Sequence, residues 1–291
     1  MIFVIFFDII LLGEYMHLDK KIYNIDTYKN IDVKIVQISD IHFSIDYNLK
    51  KLYKTMSNIE KIKPDYVCIV GDLIDEYDVV KTNYINYFKD WLRLLSYKYK
   101  VIISLGNHDF LIKEYEGYVE HNNIDWLLEL RSKSLVVLND EVYSENGINF
   151  IGYNPNALYY RKYDYGNILK CNGELSELII NRKGYNILMI HTPFFIVSDN
   201  NYEIVDGFLG IDLVISGHTH GGLMPSFIPG NFGLVSPTKS LFPKNVRGMV
   251  RCGKCDIIIS SGVVKLSRKS KITVLNDFYG YNINVINIKK V

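Results

Sequence analysis

Five times along this chain a short apolar run ends abruptly in a turn that carries carboxylate, carboxamide or imidazole side chains. Lys34-Ile-Val-Gln-Ile-Ser39 runs into Asp40-Ile-His42, and Tyr66 to Val70 ends at Gly71-Asp72. Val101 to Leu105 ends at Gly106-Asn107-His108-Asp109, Asn186 to Ile190 delivers His191, and Leu213 to Ile215 leads into Gly217-His218-Thr219-His220-Gly221-Gly222. Short runs of this kind, rich in Val and Ile and bounded by turn residues, are those of fully buried strands. Any one cluster could be an ordinary strand-end turn, because Asp and Asn bond readily to nearby backbone. Five of them constrain the fold much more tightly. Strand ends on one edge of a sheet converge in space, so the chain is expected to gather these groups at one place.

The intervening sequence supports a sheet with helical crossovers. Leu49, Leu52, Tyr53, Met56 and Ile59 recur at helical spacing until Pro64, and a second amphipathic stretch covers Tyr84 to Leu95. The middle differs: Leu135 to Leu138, Glu141 to Tyr143 and Ile148 to Gly152 are short strands parted by Asn-Asp and Asn-Gly turns, which predicts an antiparallel meander. A tyrosine-rich segment (153–170), a helix near Glu174 to Ile180, a long ordered loop over 223–247 and strands near Asp256 to Ser260 and Ile283 to Ile288 complete the chain. The fold class is α/β, with a domain over 34–291 and an apolar N-terminal segment plus connector, including an extended piece, over 1–33.

Composition removes several alternatives. With 33 Lys and Arg against 32 Asp and Glu, the chain has no field to gather nucleic acid. Cys68 lies in an apolar run and reads as a small core residue. Cys252-Gly-Lys-Cys255 has the spacing of a zinc or redox pair, but no second pair or nearby His completes it, and a hairpin turn with two incidental thiols accounts for it. Ile2 to Leu12 is apolar except for Asp8, too short for the roughly 20 residues of a bilayer span. It reads as an interfacial anchor, a remnant of a longer membrane segment, or a first buried strand. Lys20 and Lys21 after it favour a membrane-associated protein on the cytoplasmic face.

A lone histidine is usually a core or surface residue. Histidines two apart, flanked by glycines at a strand end, can instead project toward the same or adjacent metal ions, since glycine accepts the backbone angles that close approach requires. Together the clusters supply carboxylate, carboxamide and imidazole donors in numbers suited to two divalent ions sharing a carboxylate.

In order and context these blocks resemble the calcineurin-like metallophosphoesterase superfamily, whose motifs D-x-H, G-D-x-x-D, G-N-H-D/E, a lone H and G-H-x-H correspond to Asp40-Ile-His42, Gly71-Asp72-Leu-Ile-Asp75, Gly106-Asn107-His108-Asp109, His191 and Gly217-His218-Thr-His220. Asp212 to Gly222 and Ser260-Ser261-Gly262 look closest to its branch of bacterial, often membrane-linked phosphodiesterases and lipid-nucleotide hydrolases. The resemblance implies a four-layer α/β/β/α sandwich of two mixed sheets flanked by helices. It implies that Asp40, His42, Asp72 and His220 hold one metal, and that Asp72, Asn107, His191 and His218 hold the second. His108 would stand beside the leaving group, with Asp109 orienting it. The implied activity is two-metal hydrolysis of a phosphodiester or pyrophosphate, a metal-bridging hydroxide attacking phosphorus in line, with Mn, Fe or Zn as the ions and a substrate that could be lipid-linked. An inactive metal-binding scaffold and a phosphomonoesterase are the alternatives. The apolar side chains of the long loop, Met224, Phe227, Ile228, Phe232, Leu234 and Phe242, either plug it onto the core or line a wall for a hydrophobic substrate.

Overall fold

The computed structural model describes residues 18–114, 117–120, 124–155, 177–179, 182–193, 210–224, 228–235, 241–252, 255–263 and 281–291. Four strands come first: β1 (Leu18–Thr27), β2 (Asp32–Ile38), β3 (Tyr66–Val70) and β4 (Lys100–Ser104). A ribbon of β5 (Leu111–Glu114) and β6 (Gly117–Glu120) follows, then β7 (Leu135–Leu138), β8 (Val142–Glu145) and β9 (Ile148–Tyr153). The last five are β10 (Tyr185–Ile190), β11 (Leu213–Ser216), β12 (Gly248–Cys252), β13 (Cys255–Ile259) and β14 (Tyr281–Lys290). They form two six-stranded mixed sheets, ordered β1-β14-β2-β3-β4-β7 and β12-β13-β11-β10-β9-β8.

Alternation along the buried strands decides how the sheets stack. Val36 and Ile38 of β2, Val67 and Ile69 of β3, and Val101 and Ile103 of β4 lie in one core with the helices α1 (Leu49–Ile62) and α2 (Ile85–Lys98). Their alternates Ile35, Tyr66, Cys68, Val70 and Ile102 lie in a second core with Phe150, Tyr185, Ile187, Met189, Leu213 and Ile215 of the other sheet. Strands buried on both faces must be apolar throughout, which is why these read as continuous runs. Ile151, Leu188, Ile190, Val214 and Ile257 turn outward into a third core. It includes Ile179 of the helical residues 177–179; the rest of the helix expected near Glu174 to Ile180 lies outside the described residues.

Local chemistry sets the helix over the first sheet. The Asn48 side chain accepts from Lys50 N at its start, Lys63 at φ 52° closes it with an N–H bond to Ile59 O, and Pro64 prevents its continuation. Trp91 Nε1 of α2 donates to Leu52 O (2.9 Å), and Phe88 stacks between Phe43 and Trp91 at 4.9 and 5.7 Å.

Two features differ from the sequence reading. The expected meander breaks after its first strand: β7 pairs in parallel with β4 in the first sheet, and only β8 and β9 form an antiparallel pair, in the second. Asn139-Asp140, with Asp140 at φ 53°, is a corner between sheets and not a hairpin turn. The sheets meet closely there, because a Cβ on Gly152 would lie 2.3 Å from that of Leu138. The extended piece of the connector is β1, which pairs in parallel with β14 at the sheet edge, so the first sheet begins at residue 18. Cys252 and Cys255 are register partners across β12 and β13, with Cys255 buried. The apolar segment 2–12 lies outside the described residues.

Phe88 is fully buried between two aromatic neighbours. Phe88→Ala is expected to lower the unfolding free energy by about 3–5 kcal/mol through lost contacts and an unfilled cavity. Denaturant titration checks this against the unchanged binding residues.

Candidate metal centre

In each sheet the strands that carry the polar turns are parallel, so their carboxyl ends share an edge. Backbone hydrogen bonds continue past the strands and pin the turns to one another. Asp40 N donates to Gly71 O (3.0 Å), His42 N to Asp72 O (2.9 Å), Gly71 N to Ser104 O (3.0 Å) and Gly217 N to His191 O (2.9 Å). Asp40, His42, Asp72, His218 and His220 all have φ between 46° and 67°. Left-handed backbone at non-glycine residues costs on the order of 1 kcal/mol or more each and persists where the surroundings dictate it. Here it turns the side chains inward from both sheets. Glycine is required where the groups crowd: a Cβ on Gly106 would come within 2.3 Å of Asp72 Oδ1, and one on Gly71 within 2.5 Å of the His191 ring.

The structure brings all nine predicted residues to this edge, though not all into one cluster. Asp72 is 1% exposed. Its Oδ1 accepts from His108 N (2.9 Å), while its Oδ2 lies 3.0 Å from His191 Nε2 and 3.6 Å from His42 Nε2. Asp40 is wholly buried; Ser39 Oγ donates to its Oδ2, His218 N donates to its carboxylate (3.0 Å), and its Oδ1 faces His191 Nε2 and His220 Nε2, each at 3.8 Å. His42 stacks on His220 with ring centroids 5.1 Å apart, and His191 meets His218 edge-on at 5.1 Å.

Burial governs the ionisation of the group. It lowers His42, lowers His218 well below the usual histidine range with help from the nearby His191, and brings His220 to about 4. These imidazoles are therefore neutral near pH 7 and keep a lone pair. Burial also acts to lower His191, but the Asp72 and Asp40 carboxylates outweigh it and raise the ring to about 9. Burial acts to raise Asp72, yet His191, His108 and His42 hold it well below the normal carboxylate range. Asp40 is raised by burial.

Among the described residues three sets of side chains have donor atoms close enough to hold a metal ion: Asp40, His42 and His220; Asp72, His191 and His218; and His42, Asp72 and His108. The donors fit such an ion. Both ring nitrogens of His42, Asn107 Oδ1, His191 Nε2 and His220 Nδ1 are buried without a well-aligned hydrogen bond, an arrangement that is costly unless another ligand engages them. His191 Nδ1 donates to Val70 O at 2.9 Å, so Nε2 is the atom that would face an ion once the proton it shares with Asp72 is displaced.

His108 and Asp109 occupy different settings. His108 is 37% exposed, with Nδ1 2.5 Å from Asp75 O and 4.0 Å from Asp75 Oδ1. The group that orients it is thus the Asp75 backbone carbonyl, while the Asp75 carboxylate lies 3.5 Å from His42 Nδ1. Asp109 is buried and turned elsewhere: Oδ2 accepts from Gly106 N (2.8 Å) and Oδ1 from Leu73 N (2.8 Å) and Ile74 N (3.3 Å). It ties the turn after β4 to the turn after β3, and burial beside Asp72 pushes it up to about 7. Asp75 was absent from the candidate set; its signal was the second Asp of Gly71-Asp72-Leu-Ile-Asp75.

The chain is similar to known proteins. The profile of the calcineurin-like phosphoesterase family matches residues 33–222. An uncharacterized metallophosphoesterase of Campylobacter jejuni is 28% identical over 72% of this chain and 52% of its own, and the uncharacterized metallophosphoesterase YkuE of Bacillus subtilis is 26% identical over 83% and 77%. A Danio rerio relative named a transmembrane protein with metallophosphoesterase domain is 26% identical over 65% of this chain and 40% of its own. The chain thus spans about half the length of the Campylobacter relative. Because the profile runs from the first of these strand-end turns through the paired glycines of the last, the chain belongs to the calcineurin-like phosphoesterase family.

Proposed function

We propose that the chain is a phosphoester hydrolase that works with two divalent ions, acting on a phosphodiester or pyrophosphate bond. The observation that carries this reading is Asp72. Its Oδ1 is occupied by the His108 N–H, and its Oδ2 faces donors of both ligand groups, His42 at 3.6 Å and His191 at 3.0 Å. Asp40, His42, Asp72 and His220 would hold one ion, and Asp72, Asn107, His191 and His218 the other, so Asp72 serves both. When bound, such ions supply a water that ionises near neutral pH and positive charge for the phosphoryl oxygens, and the mixed oxygen and nitrogen donors suit Mn, Fe or Zn.

The chain's own residues do the rest. His108 is more exposed than His42 (8%) or His220 (19%), so a substrate reaches it from solvent. With Nδ1–H donating to Asp75 O, Nε2 points free of the backbone and can hold the proton that the departing oxygen needs. The raised affinity of His108 for a proton, gained from Asp72 and Asp75 against burial, suits that task. Asp109 keeps the two turns in register through backbone N–H groups.

A membrane-associated, lipid-linked substrate is part of the same reading. It draws on the apolar stretch 2–12 and on the relative named as transmembrane. Among the described residues no helix is long and apolar enough to cross a membrane.

Asp72→Asn is expected to abolish metal binding and turnover together, and His218→Ala to remove one equivalent of metal. Elemental analysis of the purified proteins decides this; an Asp72→Asn protein with two equivalents and full turnover would contradict the assignment. His108→Ala is expected to keep its metal while kcat falls by about 10²- to 10⁴-fold. The loss should shrink for nitrophenyl esters, whose leaving group needs little protonation, and an equal loss for all leaving groups would limit His108 to positioning substrate.

A further inference from the structure

The long loop after the paired glycines does not behave as a single apolar plug. Met224 is buried, but Phe232, Leu234 and Phe242 are 41%, 37% and 70% exposed, and Leu241 is 72% exposed. Phe227 lies outside the described residues. The exposed groups sit on a small hairpin: Val235 and Leu241 form an antiparallel bridge, Phe242 N donates to Leu234 O (2.9 Å) and Gly233 N to Pro243 O (2.9 Å).

This hairpin is fastened to the metal centre. Leu234 N and Val235 N both donate to Gly222 O, at 2.7 and 3.2 Å, and Gly222 is two residues beyond His220. The backbones touch because both partners are glycine; a Cβ on Gly222 would lie 2.6 Å from Gly233 Cα. From below, the buried Arg247 donates to three carbonyls of the loop, Nε to Gly230 O (2.9 Å), Nη1 to Met224 O (3.3 Å) and Nη2 to Ile228 O (2.6 Å). A loop held this firmly would be expected to tuck its apolar side chains inward. It holds them out.

The sequence here is one-sided in charge, with no Asp or Glu over residues 213–255. Of its basic residues, Arg247 is buried beneath the loop and Arg251 lies 3.9 Å from Asp256, which leaves Lys244 as the exposed cation among the described hairpin residues. Lys244 adjoins Pro243 in the hairpin and is exposed. Exposed aromatic and aliphatic groups beside an exposed lysine match the boundary of an anionic membrane, where apolar side chains enter the acyl region and cations meet lipid phosphates.

We propose that the paired hairpin segments 231–235 and 241–246 dock on an anionic lipid bilayer and so present the metal centre to phosphoesters carried in that bilayer. This rests on the hydrolase reading above for the reaction, but the docking itself does not. The test uses the full chain and vesicles of phosphatidylcholine with or without phosphatidylglycerol, read by co-sedimentation. The wild type should bind the anionic vesicles. L241S/F242S should weaken binding roughly ten- to a hundredfold, as expected from losing the burial of one or two large apolar side chains. K244E should weaken it for anionic vesicles alone. Both variants should keep the wild-type melting temperature and the wild-type rate on a water-soluble aryl phosphodiester with added Mn²⁺. Equal vesicle binding by wild type and L241S/F242S overturns the proposal, and points to another segment such as residues 2–12. So does a wild type that forms dimers in solution while L241S/F242S is monomeric, which would make the hairpin a contact between copies. Vesicle binding that depends on the hairpin without any hydrolysis of the soluble diester would uphold the docking and refute the hydrolase reading.

Discussion

The centre depends on holding two carboxylates, Asp40 and Asp72, almost entirely out of water. An uncompensated buried carboxylate costs several kcal/mol. The fold answers with directed partners: the Ser39 hydroxyl and the His218 N–H for Asp40, and the His108 N–H and His191 for Asp72. Those donors reach the carboxylates only because the turns take left-handed backbone angles and because glycines leave room beside them. The strain, the glycines and the shifted ionisation are consequences of one requirement, that opposite and like charges be crowded at the end of two sheets. Such crowding is stable only when something further engages the unused donor atoms.

The two sheets contribute unequally and complementarily. The first supplies the carboxylates and the carboxamide, from Asp40, Asp72 and Asn107, together with His42; the second supplies His191, His218 and His220. Gln37 braces the sheets beneath, donating to Ser216 O (2.8 Å) and accepting from Asn284 (3.0 Å). Donors drawn from both sheets mean that an ion held here would also tie the sheets together, linking metal affinity to the integrity of the inner core.

Much of this was legible in the sequence because its cause is local. A strand buried on both faces must be apolar, and it must end where polar groups begin, so the runs over 34–39, 66–70 and 186–190 exposed both the fold class and the site. Long-range pairing left no such trace. The strand Leu18–Thr27 mixes charged and polar residues with Ile22, Tyr23 and Ile25 without a clean alternation, and its partner Tyr281–Lys290 comes from the other end of the chain. The turn at Asn139-Asp140 reads as a hairpin, yet it moves the chain between sheets, since only three-dimensional packing of Leu138 against Gly152 distinguishes the two. At the site, residue type was readable but direction was not. The Asp109 carboxylate follows His108 in sequence and faces away from its ring, whereas the backbone carbonyl of Asp75, distant in sequence, reaches it.

In the proposed centre two ions would share Asp72. Anomalous diffraction from crystals grown with Mn²⁺ tests it most directly. Two peaks flanking Asp72 Oδ2 are predicted, one among Asp40, His42 and His220, and one among Asn107, His191 and His218. A single peak that leaves one of these sets without an ion, or peaks only at another place such as Cys255, would contradict it.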